Sequence, residues 1–128
     1  MAHAMASIGT TNYLVSLTAG HHRLTADEGS ELGGEDAGPA PYELLCAALG
    51  ACTAITLRMY AERKGWPLRA ARVDVRFNRE GKVGAMARIL RLEGELDDAQ
   101  RARLADIAER TPVTLTLKQG LAITTTLE

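Results

Sequence analysis

Pro41 to Lys64 reads PYELLCAALGACTAITLRMYAERK, and this stretch decides the fold. Between Leu44 and Leu57 it carries no charge. Leu44, Leu45, Leu49, Ile55, Leu57 and Met59 leave no polar face, because Ala and Cys fill the gaps. A helix that is apolar all round is buried in a core or in a membrane. The charge-free run is too short to span a bilayer, and Arg58 follows at once. A central helix wrapped by the rest of the protein is therefore expected. Its start fits Pro41, which needs no N–H at the first helical position. Its end fits Arg63 and Lys64 in the last turn, a left-handed cap at Gly65 and a stop at Pro67.

A chain of 128 residues suits one domain, but it has little material with which to cover such a helix. A partner subunit is expected to supply part of the cover. The net charge of −1, with one Trp, one Phe and three Tyr, gives no footprint for nucleic acid. The first ten residues are expected to be disordered, with one domain over 11–128. MAHAMASIG lacks the apolar core of a secretory signal. Two cysteines then suggest free thiols in a reducing compartment, the cytoplasm, with no membrane partner.

Outward from the helix, the pattern is α+β. Thr11–Ala19 sets Tyr13, Val15, Leu17 and Ala19 against Leu14, Ser16 and Thr18, which predicts a half-buried strand. Gly20-His21-His22 turns it, and Arg23–Asp27 returns. Glu28–Ala40 is Gly-rich and acidic and reads as a solvated connector rather than a lid. After the helix, Val73–Arg79 and Ala85–Leu96 alternate as a strand pair, with Arg88 on the same face as Met86, Leu90 and Leu92. That Arg is either an edge position or a functional charge. Asp97 and Gln100 form a capping-box variant opening a second helix. Val113–Leu117 fits either a strand or a short helix, and Leu121–Leu127 is expected to close as a strand. The predicted order is ββ-α-ββ-α-β around a long buried central helix.

Chemistry, if present, centres on Cys52. A free Cys often packs as a small hydrophobe. Around it, Ala48, Leu49, Ala51, Thr53 and Thr56 are mostly small and Gly50 has no side chain, which makes room for a substrate or for another helix. A reactive thiol needs a nearby cation or a helix N-terminus. Cys52 is mid-helix, so a cation must come from elsewhere; Arg23 is the best candidate, ahead of His21 and His22. Cys46 reads as packing. It cannot bridge to Cys52, since six helical residues separate the two by about 9 Å along the axis, beyond the Cα separation of about 7 Å that a disulfide spans. Three His and two Cys show no CxxC, HxxxH or HExxH pattern, so neither a metal nor another cofactor is expected.

Gly33-Gly34, then GPAPYELL (38–45), AALGACTAITLRMYAERKGWPL (47–68), the strand pair and RLADIAERTPV (103–113) together resemble the OsmC/Ohr family, on its OsmC-like branch. The similarity runs from about Arg23 to the C-terminus. It implies an intertwined homodimer with sites at the subunit interface and thiol-dependent reduction of organic hydroperoxides. A peroxidatic thiolate becomes a sulfenic acid, which a second cysteine resolves before a dithiol restores both. Cys52 matches the peroxidatic position and Arg23 the activating Arg. The second cysteine, before a Pro-Val pair, is replaced here by Thr111, which cannot resolve a sulfenic acid. The family's Glu, one residue after the Pro, is replaced by Tyr42; Glu43 is next to it but turned by about 100° on the helix. Tyr42, Leu49, Thr56 and Met59 are expected to line the substrate side. The resemblance thus predicts a one-cysteine cycle with an external thiol as reductant. The rival is a non-catalytic member of the fold that binds a small apolar or acyl ligand at the interface. A third reading is a domain that serves only for association.

Overall fold

A computed structural model describes residues 1–128. The chain divides into two compact units, Met1–Leu45 and Cys46–Glu128. The N-terminal unit holds a three-stranded antiparallel sheet, β1 (Ala4–Ile8), β2 (Val15–Ala19) and β3 (His22–Ala26), in that spatial order. The first residues, expected to be disordered, instead run beside β2 from Ala4 opposite Ala19 to Ile8 opposite Val15. All of β1 is exposed, so a backbone ladder rather than an apolar face holds it, and alternation gives no sign of that. Val15, Leu17 and Ala19 are half-buried while Ser16 and Thr18 are exposed, as their alternation predicts. The strand starts four residues later than expected, because Thr11 to Leu14 form a turn closed by the Leu14 N–H on the Thr11 carbonyl.

The following segment is not a plain connector. Asp27 is buried and accepts four backbone N–H groups: Tyr13 and Glu28 on Oδ1, Glu35 and Ala37 on Oδ2, at 2.7 to 3.2 Å. A short 3₁₀ turn, Ser30–Leu32, lies within that wrap. Gly34 is buried, and only a glycine fits there: a Cβ would run into the Glu28 carbonyl oxygen and stand 2.8 Å from Asp27 Oδ1. The Ala37 N–H, followed by those of Glu28, Glu35 and Tyr13, holds the Asp27 carboxyl below its ordinary value of 3.8, against the opposing effect of burial.

The central helix α1 spans Pro41–Lys64. Glu43 reaches back from its first turn to accept the Ala40 N–H at 2.9 Å. Gly65, at φ 70°, ends it, and the Trp66 N–H closes on the Ala61 carbonyl. By length and composition α1 could cross a bilayer, a test that a core helix also passes. In the C-terminal unit, the expected strand pair forms with other bounds: β4 (Leu68–Glu80) begins well before Val73, and β5 (Val83–Gly94) begins before Ala85 and stops short of Leu96; the two are antiparallel, with Val75 opposite Arg88 and Phe77 opposite Met86. Leu57, Ala61 and Leu68 join Leu104 and Ala108 of α2 (Asp98–Ala108) in the core. Asp97 caps α2, and Gln100 returns the bond, as the capping box predicts.

Two C-terminal expectations resolve differently. Pro112–Gln119 is a helix, α3, because Thr111 caps it and Pro112 occupies its first turn. Leu121–Leu127, expected as a closing strand, has no regular structure and is exposed throughout. A strand needs a neighbour's ladder, and the chain's two sheets place no strand beside it. The order is therefore βββ-α-ββ-α-α, still an α+β chain with one long helix.

Candidate functional site

Only one line of α1 is buried: Leu49, Thr53, Leu57 and Ala61, spaced by four. Cys52 precedes Thr53 by one position, hence about 100° around the axis. It is a free, half-buried thiol, and so is Cys46. The helical spacing puts Leu49, Thr56 and Met59 within one side of Cys52, at i−3, i+4 and i+7. Of these, Leu49 is in the core, Thr56 is half-buried and Met59 is exposed. The room expected at Gly50 is partly taken by the sheet: a Cβ there would sit 3.6 Å from Val75 Cγ2. Tyr42 and Glu43 stand in the first turn of α1, both exposed, and Glu43 is engaged in capping. Arg23 is exposed on β3, opposite Thr18 in the ladder.

A polar network in the C-terminal unit is centred on Arg88, not on Cys52. The Arg88 side chain is 12% exposed. Its Nη1 donates to Thr53 Oγ1 and to Thr114 Oγ1, both at 2.9 Å, and its Nη2 to Glu109 Oε2 at 2.9 Å. Thr53 in turn donates to the Leu49 carbonyl at 2.7 Å. Thr114 Oγ1 is 3.3 Å from the Ala108 carbonyl and 2.6 Å from Thr111 Oγ1. With the Thr114 proton on Ala108, Thr111 donates to Thr114, and every hydroxyl is used once as a donor. One guanidinium thereby joins α1, β5, the end of α2 and α3. Arg88 does stand on an edge strand, since β4 and β5 form a two-stranded sheet, but its side chain is not left to solvent: it is tied on three sides.

Thr111 is fully buried, and its oxygen also accepts the Thr114 N–H as the cap of α3. A threonine here thus has a structural role as a hydroxyl. Arg58 is likewise committed: it donates to the Leu68 and Arg69 carbonyls at 2.6 and 3.3 Å. Arg88 is visible in the sequence as a charge on an apolar face, whereas its partners Thr53 and Thr114 carry no such mark; the Thr-Pro pair at 111–112 signals only the helix cap beside Thr114.

Beside this network lies a cavity of about 800 Å³. Leu49, Phe77, Met86, Leu90 and Leu117 supply apolar wall, and Arg88, Glu109, Thr114 and Lys118 form a polar corner. Cys52 is not among its lining residues.

The family model described as OsmC-like protein matches residues 33–126. No curated protein matches the sequence. Among solved structures, the chain is similar to an OsmC-like protein from Mycoplasma pneumoniae, with a TM-score of 0.80 at 15% identity, covering 92% of this chain and 87% of that one. It is similar to an organic hydroperoxide resistance protein OsmC from Legionella pneumophila, with a TM-score of 0.67 at 24% identity over 92% and 89% of the two chains. It also resembles an OsmC-like protein of unknown function from Vibrio cholerae, with a TM-score of 0.70 at 9% identity over 91% and 92%. At these identities the structural likeness establishes a shared fold.

Proposed function

The chain belongs to the OsmC family, and from that premise we propose that it is a thiol-dependent peroxidase of organic hydroperoxides with Cys52 as nucleophile. The observation that carries the reading is a free, half-buried thiol at mid-helix, with Gly50 and Ala51 beside it. The similarity to a protein named for organic hydroperoxide resistance supports the substrate class. In this chemistry the Cys52 thiolate attacks the distal peroxide oxygen. The O–O bond breaks, the alkoxide leaves and takes a proton as alcohol, and the sulfur is oxidised to sulfenic acid. An external thiol then displaces water to form a mixed disulfide, and a second thiol releases Cys52 and the oxidised reductant. Thr111 takes no part in resolution, which leaves a one-cysteine cycle.

The working form in this reading is a homodimer. Ile55 and Met59 are 55% and 58% exposed on an otherwise apolar helix, and the extended tail exposes Leu121, Ile123 and Leu127. Contiguous exposed apolar surface marks association sites. Arg23 is the proposed activating cation. Free thiols fit a reducing, cytoplasmic setting.

The test is mass spectrometry of anaerobic protein after cumene hydroperoxide, with peroxide loss followed in dithiothreitol. One oxygen added at Cys52 and turnover abolished by Cys52→Ser are the expected results. An unmodified Cys52 with no peroxide consumed would sink the reading. One observation favours the non-catalytic rival: Arg58 and Arg88 are both committed to other partners. A Cys52→Ser protein that retains an apolar or acyl ligand at the interface, in the absence of turnover, would decide for that rival.

A further inference from the structure

We infer that the Arg88 cavity is a binding site for a single-chain amphiphile with an anionic head, such as a medium-chain carboxylate. The site lies within one chain and does not include Cys52, so it stands or falls independently of the peroxidase reading.

Three observations carry it. The first is size and lining: about 800 Å³ is within the range of small-molecule pockets. Its apolar lining is aliphatic or aromatic, from Leu49, Phe77, Met86, Leu90 and Leu117. The second is charge. Two cations, Arg88 and Lys118, share the Glu109 carboxylate at 2.9 and 3.7 Å. The corner is left with one positive charge in excess, which an anionic head would balance. The third is preorganisation. Arg88 is fixed by bonds to Thr53, Thr114 and Glu109, so presenting its remaining donors requires no further ordering. Those three bonds use three of the five guanidinium N–H groups and leave the Nε–H and one Nη2–H. Donors held in place beside an apolar wall match a molecule that is apolar along its length and anionic at one end. A neutral molecule of the same length would fill the wall and leave the charge unbalanced.

The test is calorimetric titration of the full-length protein with decanoate and with 1-decanol. Saturable binding of one decanoate per chain is expected, with decanol at least tenfold weaker. Lys118→Glu, at an exposed position, is expected to weaken decanoate at least tenfold and leave decanol unchanged. Ala105→Trp, on the exposed part of the cavity lining, is expected to abolish both. Cys52→Ser is expected to change neither, which separates this site from the peroxide site. Equal affinity for decanoate and decanol would overturn the proposal, as would binding indifferent to Ala105→Trp. A titration in which nothing binds, as when a second copy fills the cavity, would overturn it too.

Discussion

Asp27 and Arg88, one charge from each unit, are both largely withdrawn from solvent, and the two are satisfied in opposite ways. Asp27 is an anion held by four backbone N–H groups, three of them from the loop that follows it. Arg88 is a cation held by side-chain oxygens from three helical regions. The first arrangement shapes a loop, and any side chain able to let the backbone close in will serve around it. The second ties regular elements together and depends on particular hydroxyls. The contrast predicts that the Asp27 wrap fails through backbone crowding, whereas the Arg88 network fails through lost partners.

Gly34→Ala should have the largest effect. The new Cβ meets a backbone carbonyl, which cannot rotate aside, so the wrap must open. A loss of about 3 kcal/mol is expected, the upper part of the overpacking range, read as a lower urea midpoint. Proteolysis should then cut within residues 28–40. If Gly34→Ala proves neutral, the wrap is loose, and the contrast between the two units disappears.

Arg88→Leu comes next. It keeps the apolar stem but removes charged hydrogen bonds to two buried hydroxyls, for an expected loss of about 2–3 kcal/mol. The bond to Glu109 adds little, since that carboxylate is largely in solvent. Thr114→Val probes the same bond from its other end. It should couple non-additively with Arg88→Leu, because both remove that one interaction. Additive losses would mean that the network is not a unit.

Acid separates the two regions without a steric change. The folded Asp27 carboxyl titrates below its ordinary value of 3.8, so the folded state holds fewer protons than the unfolded one just below that pH. Its contribution is therefore complete above 3.8 and is lost as pH falls from there through the folded value. The urea midpoint of wild type should fall more between pH 6 and pH 3 than that of Asp27→Asn. Arg88→Leu should keep the wild-type acid slope. An equal slope in wild type and Asp27→Asn would remove the carboxylate from the account.

The same contrast explains what could be read from sequence. Arg88 stands out because it breaks an apolar face, and the helix α1 stands out because its run lacks charge. Asp27 does not stand out, since its partners are main-chain groups common to every residue. Gly34 and Gly38 read as part of a solvated connector, whereas both are close approaches; a Cβ on Gly38 would strike the Thr25 carbonyl. The β1 ladder was illegible for the same reason. Leu121–Leu127 failed in the other direction: its β-branched run, Ile123 to Thr126, favours a strand, but such content states only a preference, and a strand forms only where a ladder is offered. At the site, Cys52 was legible as a thiol among small residues, while the bonds that commit Arg58 and Arg88 elsewhere depend on tertiary placement.

The smallest expected effect lies where a local signal was fully legible. Asp97 accepts the Gln100 N–H at 2.7 Å, and Gln100 returns to the Asp97 N–H at 2.9 Å. Asp97→Ala removes both the cap and a favourable charge at the start of α2, for about 1 kcal/mol. Gln100→Ala leaves the Asp97 bond in place and frees an exposed N–H that water can reach, so it should cost less than Asp97→Ala. The measurement is the pair of urea midpoints, with hydrogen exchange of the first turn of α2 as the local readout. Capping stabilises one helix end, whereas Arg88 holds several elements at once; fraying after Asp97→Ala should therefore stop within α2 and leave the amides around Thr114 protected. Loss of protection at Thr114 in Asp97→Ala would show that the cap and the guanidinium network are one cooperative structure, and the separation of a local cap from a network that joins several elements would have to be abandoned.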